Sequence, residues 1–190
     1  MSKWAGIALS GKAGAGKNEL GRTIGAMLAT DGVWSAQVAL ADAVKEETKR
    51  VYGLTKNDPG GRERLVEVGH GMRQVCPDYW IRQLAKSVDS LRPYGLIPIL
   101  TDLRYLNEYE WARENHWLIA RVDATPTDRA VVLSQRGEDR DFAWTDHPSE
   151  TELDEVEFNV RFWNPHGSLS VLSHYGRQIA DLFIGRLEYA

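Results

Sequence analysis

Residues 11–18 read Gly-Lys-Ala-Gly-Ala-Gly-Lys-Asn, and this stretch constrains the chain more than any other. Gly11, Gly16 and Lys17 satisfy the spacing Gly, four residues, Gly-Lys. A short apolar run, Ala5–Leu9, precedes it. Leu20, Ile24, Met27 and Leu28 follow on one helical face, up to a stop at Asp31-Gly32. A strand that enters a glycine loop and leaves as a helix turns its backbone N–H groups inward, and the helix N-terminus adds positive potential. The lysine then reaches the terminal phosphate oxygens. The pattern predicts that Gly11, Ala13, Gly14, Ala15, Gly16, Lys17 and Asn18 hold the phosphates of a nucleotide. The competing reading is a glycine-rich turn with a surface lysine. One position departs from the rule: Asn18 stands where a Ser or Thr hydroxyl usually meets Mg²⁺.

The rest of the chain alternates. Strands are expected at Gln37–Ala41, ending at Asp42, and at Leu96–Thr101, Trp117–Val122 and Phe158–Trp163. Helices are expected at Ala43–Tyr52, Arg62–Val75, Trp80–Val88, from a capping box at Asn107–Glu110 through Arg113, from Thr125-Pro126, and at Leu172–Leu187. The order implies one α/β domain over residues 1–190, a five-stranded parallel sheet with helices on both faces. Ligands bind such sheets beyond the carboxyl ends of the strands. Gly11, Asp42 and Asp102 are all expected there. Pro98 lacks a ladder N–H, so an irregularity is expected at that strand. Gly69 and Gly71 interrupt a helix, as if another backbone or a ligand came close.

Charge limits the partners. Lys and Arg number 23 against 27 Asp and Glu, a net −4 without a basic run, which speaks against duplex nucleic acid. Cys76 is the single cysteine, so no internal disulfide forms. No apolar run approaches the ~20 residues of a membrane span, and nothing at the N-terminus reads as a signal peptide. A cytoplasmic protein is the expectation. A homodimer is left open. The polar stretch Arg136–Glu157 carries Phe142 and Trp144 and reads as an excursion that folds over something.

Asp102 ends an apolar strand, where a carboxylate holds Mg²⁺ directly or through water; capping a helix or turn is the alternative. Leu103 follows it, where a motor ATPase would typically carry Glu, and no Asn-Lys-x-Asp guanine reader occurs. The residues therefore point to transfer to a bound acceptor.

Four further stretches appear in order: Ala41-Asp42-Ala-Val-Lys45, Val68-Gly69-His-Gly-Met-Arg73, Thr101-Asp102-Leu-Arg104-Tyr-Leu-Asn107-Glu108, and Asp146-His147-Pro-Ser149-Glu150. With the glycine loop, this set resembles the bacteriophage-type deoxynucleoside monophosphate kinases over nearly the whole chain. Ala43 and Leu106 replace prolines of that family's pattern, and Asn18 is the neutral counterpart of an Asp its members often carry. The resemblance implies a nucleoside-monophosphate-kinase type of P-loop fold. It also implies an acceptor region at about residues 42–90, a mobile lid at about 125–150, ATP and Mg²⁺ as cofactors, and deoxynucleoside monophosphates as acceptors. In a phage-encoded protein the location would be the host cytoplasm. A P-loop kinase of another phosphorylated small molecule, of the dephospho-coenzyme A type, and a nucleotide-binding module without turnover are the alternatives.

A nucleoside monophosphate is mostly dianionic at pH 7, with a second pKa of about 6, so its attacking oxygen needs no general base. Two crowded phosphates need neutralising instead, which arginine does well through its forked donors. Arg104, two residues beyond Asp102, and Arg73 are candidates. So is Arg136, on one helix face with Arg129, with Arg140 beyond. For each, a solvated surface charge is the alternative. Lys17, Asp102, Arg104 and Arg136 form the expected catalytic set, and Asn18 and Asp102 the expected metal ligands. Asp42, Lys45, Arg73, Arg104, Trp80 and Glu150 form the expected acceptor set. Asp42 also suits a helix N-cap, and Ser149 with Glu152 could be a capping box that leaves His147 no role in reading sugar or base. Trp80, Trp111 and Trp144 could stack on a base or fill the core. Asn164–Gly167 could hold the adenine or be a turn.

Overall fold

A computed structural model describes residues 4–135, 147–165 and 168–185. Its centre is the strand that enters the glycine loop, β1 (Gly6–Ser10), buried along its whole length. Successive side chains of a strand point to opposite faces, so Ile7 and Leu9 enter one core and Ala8 the other. On the first face they meet Leu20, Ile24 and Leu28 of α1 (Lys17–Thr30) and Leu172, Ile179 and Phe183 of α8 (Leu169–Phe183). On the second face Ala8 meets Leu40 and Val44 of α2 (Leu40–Tyr52), Trp80 and Leu84 of α4 (Tyr79–Leu91), and Tyr109 of α5 (Leu106–Glu114).

The remaining strands are β2 (Ser35–Val38), β3 (Ile97–Leu103), β4 (Trp117–Asp123) and β5 (Val160–Trp163). All pair in parallel in the order β2-β3-β1-β4-β5. The expected five-stranded parallel sheet is therefore present. Among the described residues three more α-helices follow: α3 (Gly61–Val75), α6 (Pro126–Gln135) and α7 (Pro148–Thr151). Among the described residues no helix is long and apolar enough to cross a membrane.

Several local expectations shift. β2 ends at Val38 and α2 begins at Leu40, so Asp42 lies in a first helical turn and not at a strand end. Pro98 pairs with Ala36 in register; the irregularity lies at the other end of β3. There Ala8 and Ser10 oppose Leu100 and Leu103, so β3 carries one extra residue beside Asp102. Such a bulge re-aims the side chains around it.

The start of α5 also moves. Glu108, not Glu110, closes the first turn, its Oε2 accepting the N–H groups of Arg104 and Tyr105 at 3.0 and 3.1 Å. Asn107 instead donates to Pro77 O and Asp78 Oδ1, both at 3.1 Å. Gly69 is buried: its carbonyl accepts the Trp80 indole N–H at 3.0 Å, and an added Cβ would lie 3.5 Å from Val44. A Cβ at Gly71 would meet nothing within 4 Å, and 3.5 Å at Gly69 is ordinary van der Waals contact, so close approach accounts for neither glycine.

Candidate active site

The loop after β1 is held open by backbone that glycine alone adopts easily. Gly11 has φ 144°, and a Cβ there would sit 2.3 Å from the Val122 carbonyl oxygen. Gly14 has φ 83°, with Arg129 O 2.8 Å from the same imagined atom. The loop is thus wedged between the end of β4 and the start of α6. Lys17, the first residue of α1, is 7% exposed and folds back over it, Nζ donating to Gly11 O at 2.5 Å and Lys12 O at 2.9 Å. Burial pulls its ammonium down from 10.5 to about 7, and the positive charge of Arg104 adds to the effect. Such a lysine gains its full charge when an anion arrives.

Asp102 faces the same cleft as Lys17 and Asn18. Its Oδ1 accepts the Leu40 N–H at 2.9 Å and its Oδ2 the Ala41 N–H at 2.8 Å. These are free donors at the start of α2, and Ala39 before them has no side chain able to cap. The helix-capping reading of Asp102 is thus realised across the sheet. It does not exhaust the carboxylate, because each oxygen accepts one N–H and retains a further acceptor site. Burial pushes the carboxyl up, against the two amides that hold it down. A partly dehydrated carboxylate beside the exposed Asn18 amide fits Mg²⁺, which takes one or two protein oxygens and leaves the rest to water and phosphate.

Arg104 lines the same cleft as the loop. Its backbone N–H is fixed by buried Glu108, which also receives Arg73 Nη2 at 3.1 Å. Burial raises the Glu108 carboxyl to about 6, the Arg73 charge opposing. Arg73 lies over the Tyr105 ring, 4.3 Å from its centroid, and donates Nη1 to Gly69 O at 3.0 Å. The structure therefore places Arg73 behind Arg104, where it joins α3 to α5. The Arg104 side chain pairs through Nη1 with Glu150 Oε1 and donates to Ser149 O at 3.2 Å. Glu150, 6% exposed, in turn accepts the Ala13 amide at 2.7 Å. Burial acts against its charge, but Arg104 and Ala13 outweigh it and hold the carboxyl below its usual range.

The other expected site residues divide. Lys45 lines the cleft and pairs with Asp42 at 2.7 Å, one helical turn apart in the open. Trp80 is 1% exposed with its edge against Tyr79, a core residue and not a base platform. Trp111 packs against Trp117 at 5.5 Å. His147 caps α7, its Nδ1 accepting the Ser149 amide at 3.2 Å, while Glu152 accepts from Leu106 N at 2.7 Å. The expected Ser149–Glu152 box is thus replaced. Arg129 is buried against the loop and donates to Ala13 O at 3.3 Å. Arg136, Arg140, Phe142, Trp144, Asp146, His166 and Gly167 lie outside the described residues.

Two further residues support the loop, of which Arg121 escapes sequence reasoning. Arg121, 3% exposed in β4, bonds Asp123 at 3.0 Å and Asp154 at 2.5 Å, and Asp154 also holds Lys12 at 2.8 Å. This network ties the loop to the chain just before β5. Asn164, 1% exposed, donates to Ala15 O at 3.0 Å. The signal for Arg121 was its place inside the apolar run Trp117–Val122, where a charge demands partners.

No protein-family model matches the chain, and no curated protein matches it significantly. Solved structures do. One is the Mycobacterium tuberculosis APS kinase CysC in complex with AMPPNP and APS, with a TM-score of 0.54 and 13% identity. That match covers 94% of this chain and 98% of the other. Another is an unliganded sugar kinase from Janibacter sp. HTCC2649, with a TM-score of 0.50 and 15% identity, over 96% of this chain and 95% of the other. At such identities the likeness concerns the fold alone, the parallel α/β sheet described above.

Proposed function

We propose that the protein is an ATP-dependent kinase that phosphorylates deoxynucleoside monophosphates to diphosphates. The observation that carries the reading is that Arg104 lines one cleft with Lys17 and the glycine loop. A donor phosphate chain on the loop amides would be met by Lys17, and an acceptor phosphate by Arg104. Because the acceptor phosphate is already anionic, this pair of cations serves the reaction without a base. Asn18 and Asp102 would hold Mg²⁺, which neutralises charge on the donor phosphates when bound. Lys45, with Asp42 beside it, extends the cleft on the side of α2 and supports an acceptor region at about 42–90. The motif order Ala41–Lys45, Val68–Arg73, Thr101–Glu108 and Asp146–Glu150 supports the choice of a deoxynucleotide, with a lid at about 125–150. The nature of the acceptor decides the reading. Coupled ADP release measured across deoxy- and ribonucleoside monophosphates should show turnover that requires a deoxynucleoside monophosphate. Turnover with dephospho-coenzyme A instead, or nucleotide binding with no turnover on any acceptor, would refute it.

A further inference from the structure

The carboxylate of Glu150 reaches the glycine loop from α7, 137 positions further along the chain. One of its oxygens takes the Ala13 amide at 2.7 Å and the other takes Arg104 Nη1. A loop amide and a guanidinium on one cleft are the donors a phosphate oxygen uses. The surroundings are arranged for an anion as well. Lys17 turns onto the carbonyls of its own loop, and Arg129, 8% exposed, leaves Nε with no acceptor among the described residues. Two guanidinium groups and the Lys17 amine thus stand around the loop, and a carboxylate of the same chain sits among them.

We propose that Glu150 is a resident anion of the phosphate site, occupying the Ala13 amide and Arg104 until a polyphosphate displaces it. The inference rests on the reading of the loop as a nucleotide site. A carboxylate that only held the fold together would find both its donors in the scaffold; here one of them is an amide of the glycine loop. Two anions cannot share one N–H and one guanidinium at contact distance without strong repulsion. Entry of a phosphate chain therefore breaks both bonds of Glu150 and releases Arg104 from its internal partner, leaving it free to meet an acceptor phosphate. The cost of vacating the position is the same for every ligand that takes it, whatever base or sugar it carries.

The test is calorimetric titration of ATP and of inorganic pyrophosphate into the full chain and its Glu150→Gln variant, which keeps the shape and removes the charge. Affinity for both probes should rise by about tenfold and by the same factor, the size expected from one charge-assisted hydrogen bond. Glu150→Asp, whose carboxylate falls one methylene short of the loop, should shift both in the same direction and guards against misfolding of the first variant. If the wild type binds both probes and the folded variants bind them equally or more weakly, Glu150 is not a resident anion, although the nucleotide-site reading stands. If the wild type binds neither probe, that reading fails and the inference with it.

Discussion

Replacing Lys17 by Met should abolish phosphoryl transfer and yet make the empty protein more stable. Its ammonium falls from an ordinary 10.5 to about 7 in the fold, chiefly through burial. A fall of that size amounts to about 5 kcal/mol between charged and neutral forms. At pH 7.5 the unfolded chain holds the proton and the folded chain mostly does not, so about 4 kcal/mol of that cost bears on the native state. Methionine removes it. Against this, the carbonyls of Gly11 and Lys12 lose their donor, at about 1–3 kcal/mol together in this partly open loop. A net gain of about 1–3 kcal/mol remains, or roughly 2–10 °C in melting temperature for a domain of this size.

The sign can be followed with pH. A lysine whose folded pKa is depressed leaves the unfolded state binding more protons between about 7 and 10.5. Wild-type stability should therefore rise with pH across that window relative to Lys17→Met. Urea unfolding at a series of pH values checks both claims. A variant less stable than wild type at pH 7.5, or one whose stability tracks wild type at every pH, would show that Lys17 is not a strained charge. Transfer activity within tenfold of wild type would separately remove it from the chemistry.

The same lysine should make ATP binding take up a proton just above pH 7, because the bound phosphate restores the ammonium. Calorimetry in buffers of different ionisation enthalpy reads this directly, and a buffer-independent heat would contradict it. Arg104→Ala should lower kcat/KM for the acceptor by about a hundredfold or more, with Arg104→Lys recovering part, since the forked geometry is lost; lysine kinetics equal to wild type would mean that the fork of Arg104 plays no part in transfer. Asp102→Asn should raise the Mg²⁺ requirement more than Asn18→Ala, and Asn18→Thr least. It should also cost about 1–2 kcal/mol of stability, as an amide cannot accept both the Leu40 and Ala41 N–H groups. The reverse order in a Mg²⁺ titration would move the metal onto Asn18. Gly14→Ala should lower both melting temperature and ATP affinity, because the new Cβ meets Arg129 O at 2.8 Å with φ at 83°; an unchanged melting curve would mean that the loop can relax.

What was legible in the sequence was whatever is written in local spacing. The glycine loop, the amphipathic faces of α1 and α8, and the alternation that makes a parallel sheet depend on residues a few positions apart, and periodicity records those. The boundary of β2 was not legible. Gln37–Ala41 reads as one apolar run, and what stops the strand at Val38 is the Asp102 carboxylate, which takes the N–H groups of Leu40 and Ala41 from 62 and 61 positions away. The capping box of α5 was misplaced for a related reason: Glu108 and Glu110 are equally good on paper, but Glu108 alone is buried where Arg73 of α3 can pair with it. Trp80 shows the other limit, since an aromatic that stacks on a base and one that fills a core have the same local pattern. Only packing under the sheet tells them apart.

The tertiary structure decided most at Glu150. In the sequence it belongs with His147 and Ser149, as part of an acceptor motif. In the fold, α7 brings it onto the Ala13 amide and Arg104. Hydrogen bonds and ion pairs depend on distances of a few ångströms, not on separation along the chain. Which donors a buried carboxylate meets is therefore settled when strands and helices pack, and no residue spacing records it.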